Sequence, residues 1–350
     1  MGWFSWLSRF FSGNYLVPAL DIGTYSLKLL QLEKKGHSYK VKKKGKKEYK
    51  DRIFAGTELL DEYSLIEHIR ELYRELQIKD KEVVIHIPLY MSFYNVISVP
   101  VSKKPEEAVV EYMKGILTPE ELSNVKLTYK VLPISIKKGN MDIAIAAVRR
   151  GYVEHRIKIL SSAGLIPVVI DIEPAALNNQ YYLNNPDNLA TPVCIVGIGA
   201  SFTKIVVSFG GYPYVTRSIE IGGNLITEEL QKEFMLSREE AERLKRGEEV
   251  NNISYSEAFK VVSSVLRRAF TEVMWTIDTF RERFDLEVSS IKLYGGSSKI
   301  KGITEFFNEI SNIEVTLGAP LSFAGISDSE EFAVATGLSI RYKGDEDAKV

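Results

Sequence analysis

The residues best equipped for chemistry stand in one short run, Leu20-Asp21-Ile22-Gly23-Thr24-Tyr25-Ser26-Leu27-Lys28. An apolar strand delivers a carboxylate, Asp21, to a tight turn, and Gly23 leaves room for close backbone approach. Thr24, Tyr25 and Ser26 then offer backbone N–H groups and hydroxyls to an anion, with Lys28 one step further on. Such a turn is common in hairpins that bind nothing. Here it recurs: Val196-Gly197-Ile198-Gly199-Ala200-Ser201-Phe202-Thr203-Lys204 follows 176 positions later, with Gly199 over Gly23 and Lys204 over Lys28. Two hairpins at equivalent points of two halves predict a duplicated fold with a phosphate held between Gly23–Ser26 and the set Gly199, Ala200, Ser201 and Thr203.

Composition bounds this reading. A chain of 350 residues is long enough for two lobes, and a net charge of −1 gives no global field toward nucleic acid. The single cysteine, Cys194 in an apolar run, excludes an internal disulfide and a cysteine zinc cluster, as expected of a reducing, cytoplasmic setting. No apolar run reaches the ~18 residues of a spanning helix. A soluble or peripheral protein is expected.

The elements that must position the two hairpins follow in order. Residues 1–13 hold an aromatic stretch, with Trp3, Phe4, Trp6, Leu7, Phe10 and Phe11 at helical spacing, read as an amphipathic helix for a membrane surface or a partner. The run His37–Lys50 is rich in lysine and reads as a protected edge strand, with anionic lipid as another reading. A helix over Leu59–Leu76 precedes the buried run Val83–Pro88, in which His86 reads as a core histidine. The first lobe core is expected over 14–100 and 171–190, completed by the last helix, 332–343. A small α/β subdomain, 101–170, interrupts it. The segment Asp171-Ile172-Glu173-Pro174-Ala175 returns to the sheet and opens a helix with proline in its first turn. The second lobe is expected over 191–222 and 290–331, with a helical subdomain at 223–289. Gly222, Gly223 and Asn224 lie at a strand-to-helix turn suited to an anion. Ser237-Arg238-Glu239-Glu240 is a capping box opening the helix that carries Glu242 and Lys245. Gly295, Gly296 and Ser297 end a later strand, and Ala335-Thr336-Gly337-Leu338 lies in the last helix.

Five segments now stand in order: Asp21-x-Gly23, Asp171-x-Glu173-Pro174-Ala175, Gly197-x-Gly199, Gly295-Gly296-Ser297 and Ala335-Thr336-Gly337-Leu338. Together they resemble the phosphate-1, connect-1, phosphate-2, adenosine and connect-2 segments of the actin-like ATPase superfamily. The implied fold is a duplicated actin-like (ribonuclease H-like) two-lobe α/β architecture. Its inserted subdomain stands where the PilM and FtsA families carry theirs. Arg217-Ser218-Ile219-Glu220-Ile221-Gly222-Gly223-Asn224 and Glu240-Ala241-Glu242-Arg243-Leu244-Lys245 resemble the PilM family most, and the FtsA division proteins next.

The resemblance implies ATP or ADP as ligand, its phosphates on the two turns. Asp21 would orient Mg2+ through water, Glu242 and Lys245 would reach the ribose, and Gly295, Gly296 and Ser297 would lie along adenine and sugar. Arg268 reads either as a nucleotide contact or as a surface residue. Where the superfamily has an aspartate at the start of phosphate-2, this chain has Gly197, so weak or absent hydrolysis is expected. The resemblance further implies a type IV pilus scaffold, peripheral at the inner membrane. It would dock the cytoplasmic N-terminal tail of a PilN-like inner-membrane protein beside the segment Pro100–Leu132. Two alternatives stand: an FtsA-like membrane-tethered protein that self-associates into filaments, and a small-molecule kinase, for which Asp171 is the best available base.

Overall fold

The structure, a computed structural model, describes residues 16–36, 38–49 and 52–341. The aromatic stretch 1–12 and the C-terminal tail from 342 lie outside the described residues. The chain begins with β1 (Ala19–Ile22), β2 (Ser26–Lys35), β3 (Ser38–Glu48), the short pair β4 (Phe54–Ala55) and β5 (Glu58–Leu59), helix α1 (Glu62–Glu75) and β6 (Glu82–Ile87). There follow β7 (Ser92–Pro100), α2 (Pro105–Lys114), α3 (Pro119–Ser123), β8 (Val125–Val131), β9 (Asn140–Arg149), α4 (Arg150–Ser162), β10 (Ile166–Ile172) and α5 (Glu173–Asn184). The second half is β11 (Val193–Ile198), β12 (Thr203–Phe209), β13 (Tyr212–Ile219), α6 (Gly223–Phe234), α7 (Arg238–Lys245), α8 (Tyr255–Phe284), β14 (Ser290–Tyr294), α9 (Ile303–Glu309), β15 (Glu314–Leu317) and α10 (Ala333–Ser339).

Two five-stranded sheets repeat one plan, β10-β6-β1-β2-β3 and β13-β12-β11-β14-β15. In each, three antiparallel strands run out from the phosphate-type hairpin and two parallel strands are added beside the first. β1 and β11 are buried along their whole length, because apolar layers cover both faces of each sheet. The lysine run is an edge strand: β3 alternates, with Tyr39 and Val41 packed inward and Lys40, Lys42, Lys44 and Lys46 outward.

Local chemistry adjusts several boundaries. α1 starts at Glu62, not Leu59, because Asp61 caps it by accepting from the Ser64 N–H at 2.9 Å, while Glu58 and Leu59 pair with β4. The helix from Pro105 stops at Lys114, and Thr118 begins α3 with its own capping box.

The inserted unit is a three-stranded sheet, β7-β9-β8, covered on one face by α2 through Val109 and Met113 against Ile143 and Ile145. β7, which the sequence places in the first lobe, belongs to this sheet. α4 and β10 return to the first lobe, where Ile159 and Leu160 share a core with Ile69 and Leu72. The insertion therefore spans 92–149, where the sequence reading has 101–170. Its other face packs on the second lobe: Val96, Leu132 and Ala144 join the core formed with β13 and α8. Arg283 donates to the Val96 carbonyl at 2.7 Å and the Tyr94 hydroxyl donates to the Pro213 carbonyl at 2.8 Å. Among the described residues no helix is long and apolar enough to cross a membrane.

α5 and α10 lie between the two sheets. Leu177 and Tyr181 of α5 face the second sheet while Ala176 packs with Leu338 against the first. The two helices meet at Gly337, where an added Cβ would lie 1.7 Å from the Ala176 carbonyl oxygen. In a free helix Gly→Ala gains about 1 kcal/mol; at this crossing we expect Gly337→Ala to lose about 2 kcal/mol by overpacking. Thermal or urea unfolding checks the sign, and a raised Tm would show that the crossing is not tight.

Candidate functional site

Between the lobes the two hairpin tips meet. The Thr24 hydroxyl donates to Ser201 Oγ at 2.9 Å, and Ser201 also accepts from Asn224 Nδ2 at 3.3 Å. Each turn is closed by one backbone bond, Gly23 N–H to the Ser26 carbonyl at 3.2 Å and Gly199 N–H to the Phe202 carbonyl at 2.9 Å. The N–H groups of Thr24, Tyr25, Ala200 and Ser201 have no backbone acceptor among the described residues, and Thr24, Tyr25 and Ala200 line the cleft. The cavity left between them is about 80 Å³, lined by Asp21, Lys28, Glu173 and Lys204.

The charges on the cleft floor come in pairs. Lys28 Nζ lies 3.4 Å from Asp21 Oδ2, and Lys204 Nζ lies 3.1 Å from Glu173 Oε1. Glu173 also accepts the Leu89 N–H at 3.0 Å through its other oxygen. Burial alone would raise the Asp21 pKa, but the Lys28 charge, the hydrogen bond from His86 and nearby Lys204 hold it well below the usual carboxylate range. Burial pushes the Lys204 ammonium down, and the carboxylates of Glu173 and Asp21 more than offset this, leaving it above the usual lysine value. His86 Nε2 lies 3.0 Å from Asp21 Oδ1; an ionised carboxylate only accepts, so Nε2 carries the hydrogen. His86 Nδ1 is buried and has no hydrogen-bond partner among the described residues. His86 is therefore a site residue and not a core residue satisfied on both nitrogens.

The second-lobe wall is built around Gly199. Its carbonyl accepts from the Gly223 N–H at 3.0 Å and from Ser297 Oγ at 2.9 Å, while the Asn224 N–H donates to the Ala200 carbonyl at 2.7 Å. The first donors of α6 thus brace the second hairpin, so Gly222, Gly223 and Asn224 support the turn where the sequence suggests a separate anion site. Lys245 Nζ reaches the Gly223 carbonyl at 3.1 Å and pairs with Glu242 at 2.7 Å, which places both beside Gly223 and Ser297. Gly295 has φ +93°, and a Cβ there would lie 2.3 Å from the Ile198 carbonyl oxygen. Only glycine fits that approach of β14 to β11, and Gly295 and Gly296 line the cleft.

Other candidates fall outside the cleft. Thr203 is fully buried and donates to the Ile221 carbonyl at 2.6 Å, and Ser26 is buried in the strand. Arg268 is exposed on α8. Asp171 pairs with Arg341 at 3.2 Å and lines a groove elsewhere, so it is no base for chemistry in the cleft. Sequence reading misses Tyr90, stacked on Phe202 at 4.4 Å, while Lys204, in register over Lys28, and Glu173, in the connect-1 segment, are quoted there without being assigned to the nucleotide site. Beside Gly197 stands Leu177, 3.6 Å from where a Cβ would be, and the second carboxylate of the site comes from α5 as Glu173.

This geometry has relatives. A family model described as type IV pilus assembly protein PilM matches residues 19–342. The chain belongs to the PilM family of type IV pilus assembly proteins. It is similar to cell division protein FtsA of Neisseria meningitidis serogroup B (strain ATCC BAA-335 / MC58), 27% identical over 304 residues, 77% of this chain and 70% of that protein. FtsA of Escherichia coli (strain K12) is 22% identical over 310 residues, 80% of this chain and 67% of that protein. A solved PilM–PilN type IV pilus biogenesis complex superposes with a TM-score of 0.79 at 25% identity, covering 93% of this chain and 98% of that chain. MreB5 of Spiroplasma citri bound to AMPPNP superposes at 0.55 with 12% identity, covering 92% and 94%, a likeness of fold. The PilM family thus presents here the actin-like two-lobe fold, with both hairpins in the cleft.

The pairing of Asp21 sets a pH dependence. Its folded pKa is depressed, so its contribution to stability is complete above the ordinary carboxylate value near 3.9 and is lost as pH falls through the folded value. We expect Asp21→Asn to cost about 3 kcal/mol at pH 7, and the gap from the unaltered chain to narrow as pH drops below about 4. Urea unfolding of both at pH 7 and pH 3 measures it; a gap that is constant with pH would show that Asp21 is not held ionised by its partners.

Proposed function

We propose that this PilM-family chain is a nucleotide-gated docking protein of type IV pilus assembly. It binds ATP or ADP with Mg2+ between its hairpins, hydrolyses ATP slowly or not at all, and holds the cytoplasmic N-terminal tail of a PilN-like inner-membrane protein. The observation that carries the reading is the cleft: hairpin N–H groups without backbone acceptors and two lysines, supplied by both lobes. The fold neighbour MreB5 is described as bound to AMPPNP, and the family relative as a PilM–PilN complex. Phosphate oxygens would take the free N–H groups and compete for Lys28 and Lys204, turning Asp21 and Glu173 toward a hydrated cation. Among the described residues no cluster of three metal-ligating side chains exists, which suits an ion held through water and phosphate.

Slow hydrolysis follows from the carboxylates. Glu173 replaces the one missing at Gly197, but it is tied to Lys204 and the Leu89 N–H. Phosphoryl transfer depends on placing the attacking water, so it suffers more than affinity does. Titration with a fluorescent ATP analogue should show binding, and a phosphate-release assay should read near background. Steady release at an ordinary ATPase rate, abolished by Asp21→Ala, would sink the scaffold reading.

The tail has a groove to occupy. A cavity of about 380 Å³ opens between the insertion and the first lobe, lined by Lys126 and Thr128 of β8, Val153 and Ile157 of α4, and Val168 and Ile170 of β10. β8 and β10 are both edge strands, so unpaired backbone groups flank an apolar floor, the arrangement that receives an extended peptide. One wall rides on the insertion, which packs on the second lobe, and the other belongs to the first, so lobe closure on nucleotide changes the groove. Ile157 is 38% exposed, and Ile157→Glu is expected to leave folding intact. It should weaken capture of a PilN-like N-terminal peptide at least about tenfold while nucleotide binding persists. Unchanged peptide binding would move the interface elsewhere.

A further inference from the structure

We propose that the hairpin β2–β3 is a docking surface for an anionic lipid bilayer, used together with the aromatic segment that joins the fold beside it. This stands independently of the nucleotide reading. Residues 33–48 carry eight lysines against two carboxylates, Glu33 and Glu48. The lysines lie on the end of β2 and along β3, the outermost strand of the first sheet. The carboxylates beside them are already taken. Glu33 lies 3.8 Å from Lys35, Glu48 and Glu331 hold Lys46 at 2.9 and 2.7 Å, and Glu71 and Glu75 hold Lys47 at 3.0 and 2.6 Å. Asp328 is held by Lys299 at 2.6 Å. Lys34, Lys40 and Lys44 are exposed and have no ion-pair partner among the described residues.

Protection of a sheet edge explains lysines on an outermost strand and needs no partner. It does not explain the chain that enters here. The Leu16 N–H donates to the Leu32 carbonyl at 3.0 Å, Gln31 Nε2 donates to the Leu16 carbonyl at 3.1 Å, and Leu16 packs with Tyr39 and Val41 of β3. The sequence before Leu16 therefore joins the fold at this hairpin. It holds Trp3, Phe4, Trp6, Leu7, Phe10 and Phe11, no carboxylate, and one charged side chain, Arg9. Tryptophan and phenylalanine favour the headgroup level of a bilayer, and lysine favours the negative field above anionic lipid. A stable hold on a membrane takes two such signals, and here they share one edge of the fold. An acidic protein would match the lysines but not the aromatic segment. β10, which borders the peptide groove, is the opposite edge of the same sheet, so a bilayer on β3 leaves that groove open.

The test is co-sedimentation of the full-length chain with vesicles of phosphatidylcholine, alone or mixed with phosphatidylglycerol. Two full-length variants are compared with it: Lys34→Glu combined with Lys40→Glu, and Trp3→Ser combined with Trp6→Ser. Lys34 and Lys40 are exposed, so the Tm of the first variant, read alongside, should stay where it is. We expect the unaltered chain to bind the vesicles that contain phosphatidylglycerol and to be released by added salt. Each variant should bind them at least about tenfold more weakly. Undiminished binding by either variant would overturn the proposal. Equal binding to phosphatidylcholine alone would overturn it too, because the lysines would then add nothing. So would failure of the unaltered chain to bind, which would leave an acidic protein as the partner of the hairpin.

Discussion

Two carboxylates held among lysines on the floor of the cleft constrain everything around them. Asp21 and Glu173 are both buried, at 5% and 2% exposure, and each has a lysine ammonium at its side. Lys28 comes from the strand paired to Asp21, a local arrangement that any hairpin of this register provides. Glu173 meets Lys204 across the lobes, from the first residue of α5 to the second residue of β12. That second pair joins the two lobes where α5 packs on both sheets. Buried ion pairs are weak contributors to stability compared with apolar packing of the same volume. Their presence at this point is better accounted for by the proposed nucleotide site than by the stability they add.

The insertion gives this geometry a reach beyond the cleft. Its sheet leaves the first lobe after β6 and returns at α4, yet its apolar face is packed on β13 and α8 of the second. Tyr214 is buried there against Phe284 at 5.1 Å and donates to Asp142 at 3.2 Å, so the contact is a shared core and not a loose touch. The groove between β8 and β10 consequently has walls on two bodies. α4 supplies one side of that groove through Val153 and Ile157.

Much of this was legible in the sequence where a local signal and a repeat agreed. The hairpins were readable because Gly23 and Gly199 fall in register with Lys28 and Lys204, and the capping box at Ser237 placed α7 with its Glu242 and Lys245 correctly. The limits of the insertion were not readable, because β7 looks like any strand and only its pairing with β9 shows which sheet it joins. His86 was passed over for a related reason. A histidine in an apolar run reads as core, and only the tertiary approach of β6 to β1 puts its Nε2 on Asp21.

The glycine at position 197 shows how a missing residue is answered elsewhere in the fold. Sequence reading takes it as a lost carboxylate, and in the strand it is: β11 is buried along its length and Leu177 packs at van der Waals distance from where a Cβ would be. The charge has not left the cleft, however, because α5 opens with Glu173 four residues before Leu177, about one helical turn away on the same face. One turn of helix thus exchanges the roles of two positions, filling the strand's side with a leucine and supplying the carboxylate from the connecting segment. The exchange differs in one respect that bears on chemistry. A side chain on β11 would move with the second lobe, whereas Glu173 stands on the helix between the lobes and is anchored to the Leu89 N–H of the first. Both carboxylates are therefore fixed to the same side, and only Lys204 crosses to meet them. The site thus sets one cation of the second lobe among two anions anchored to the first, where a carboxylate on β11 would have divided the anions between the lobes.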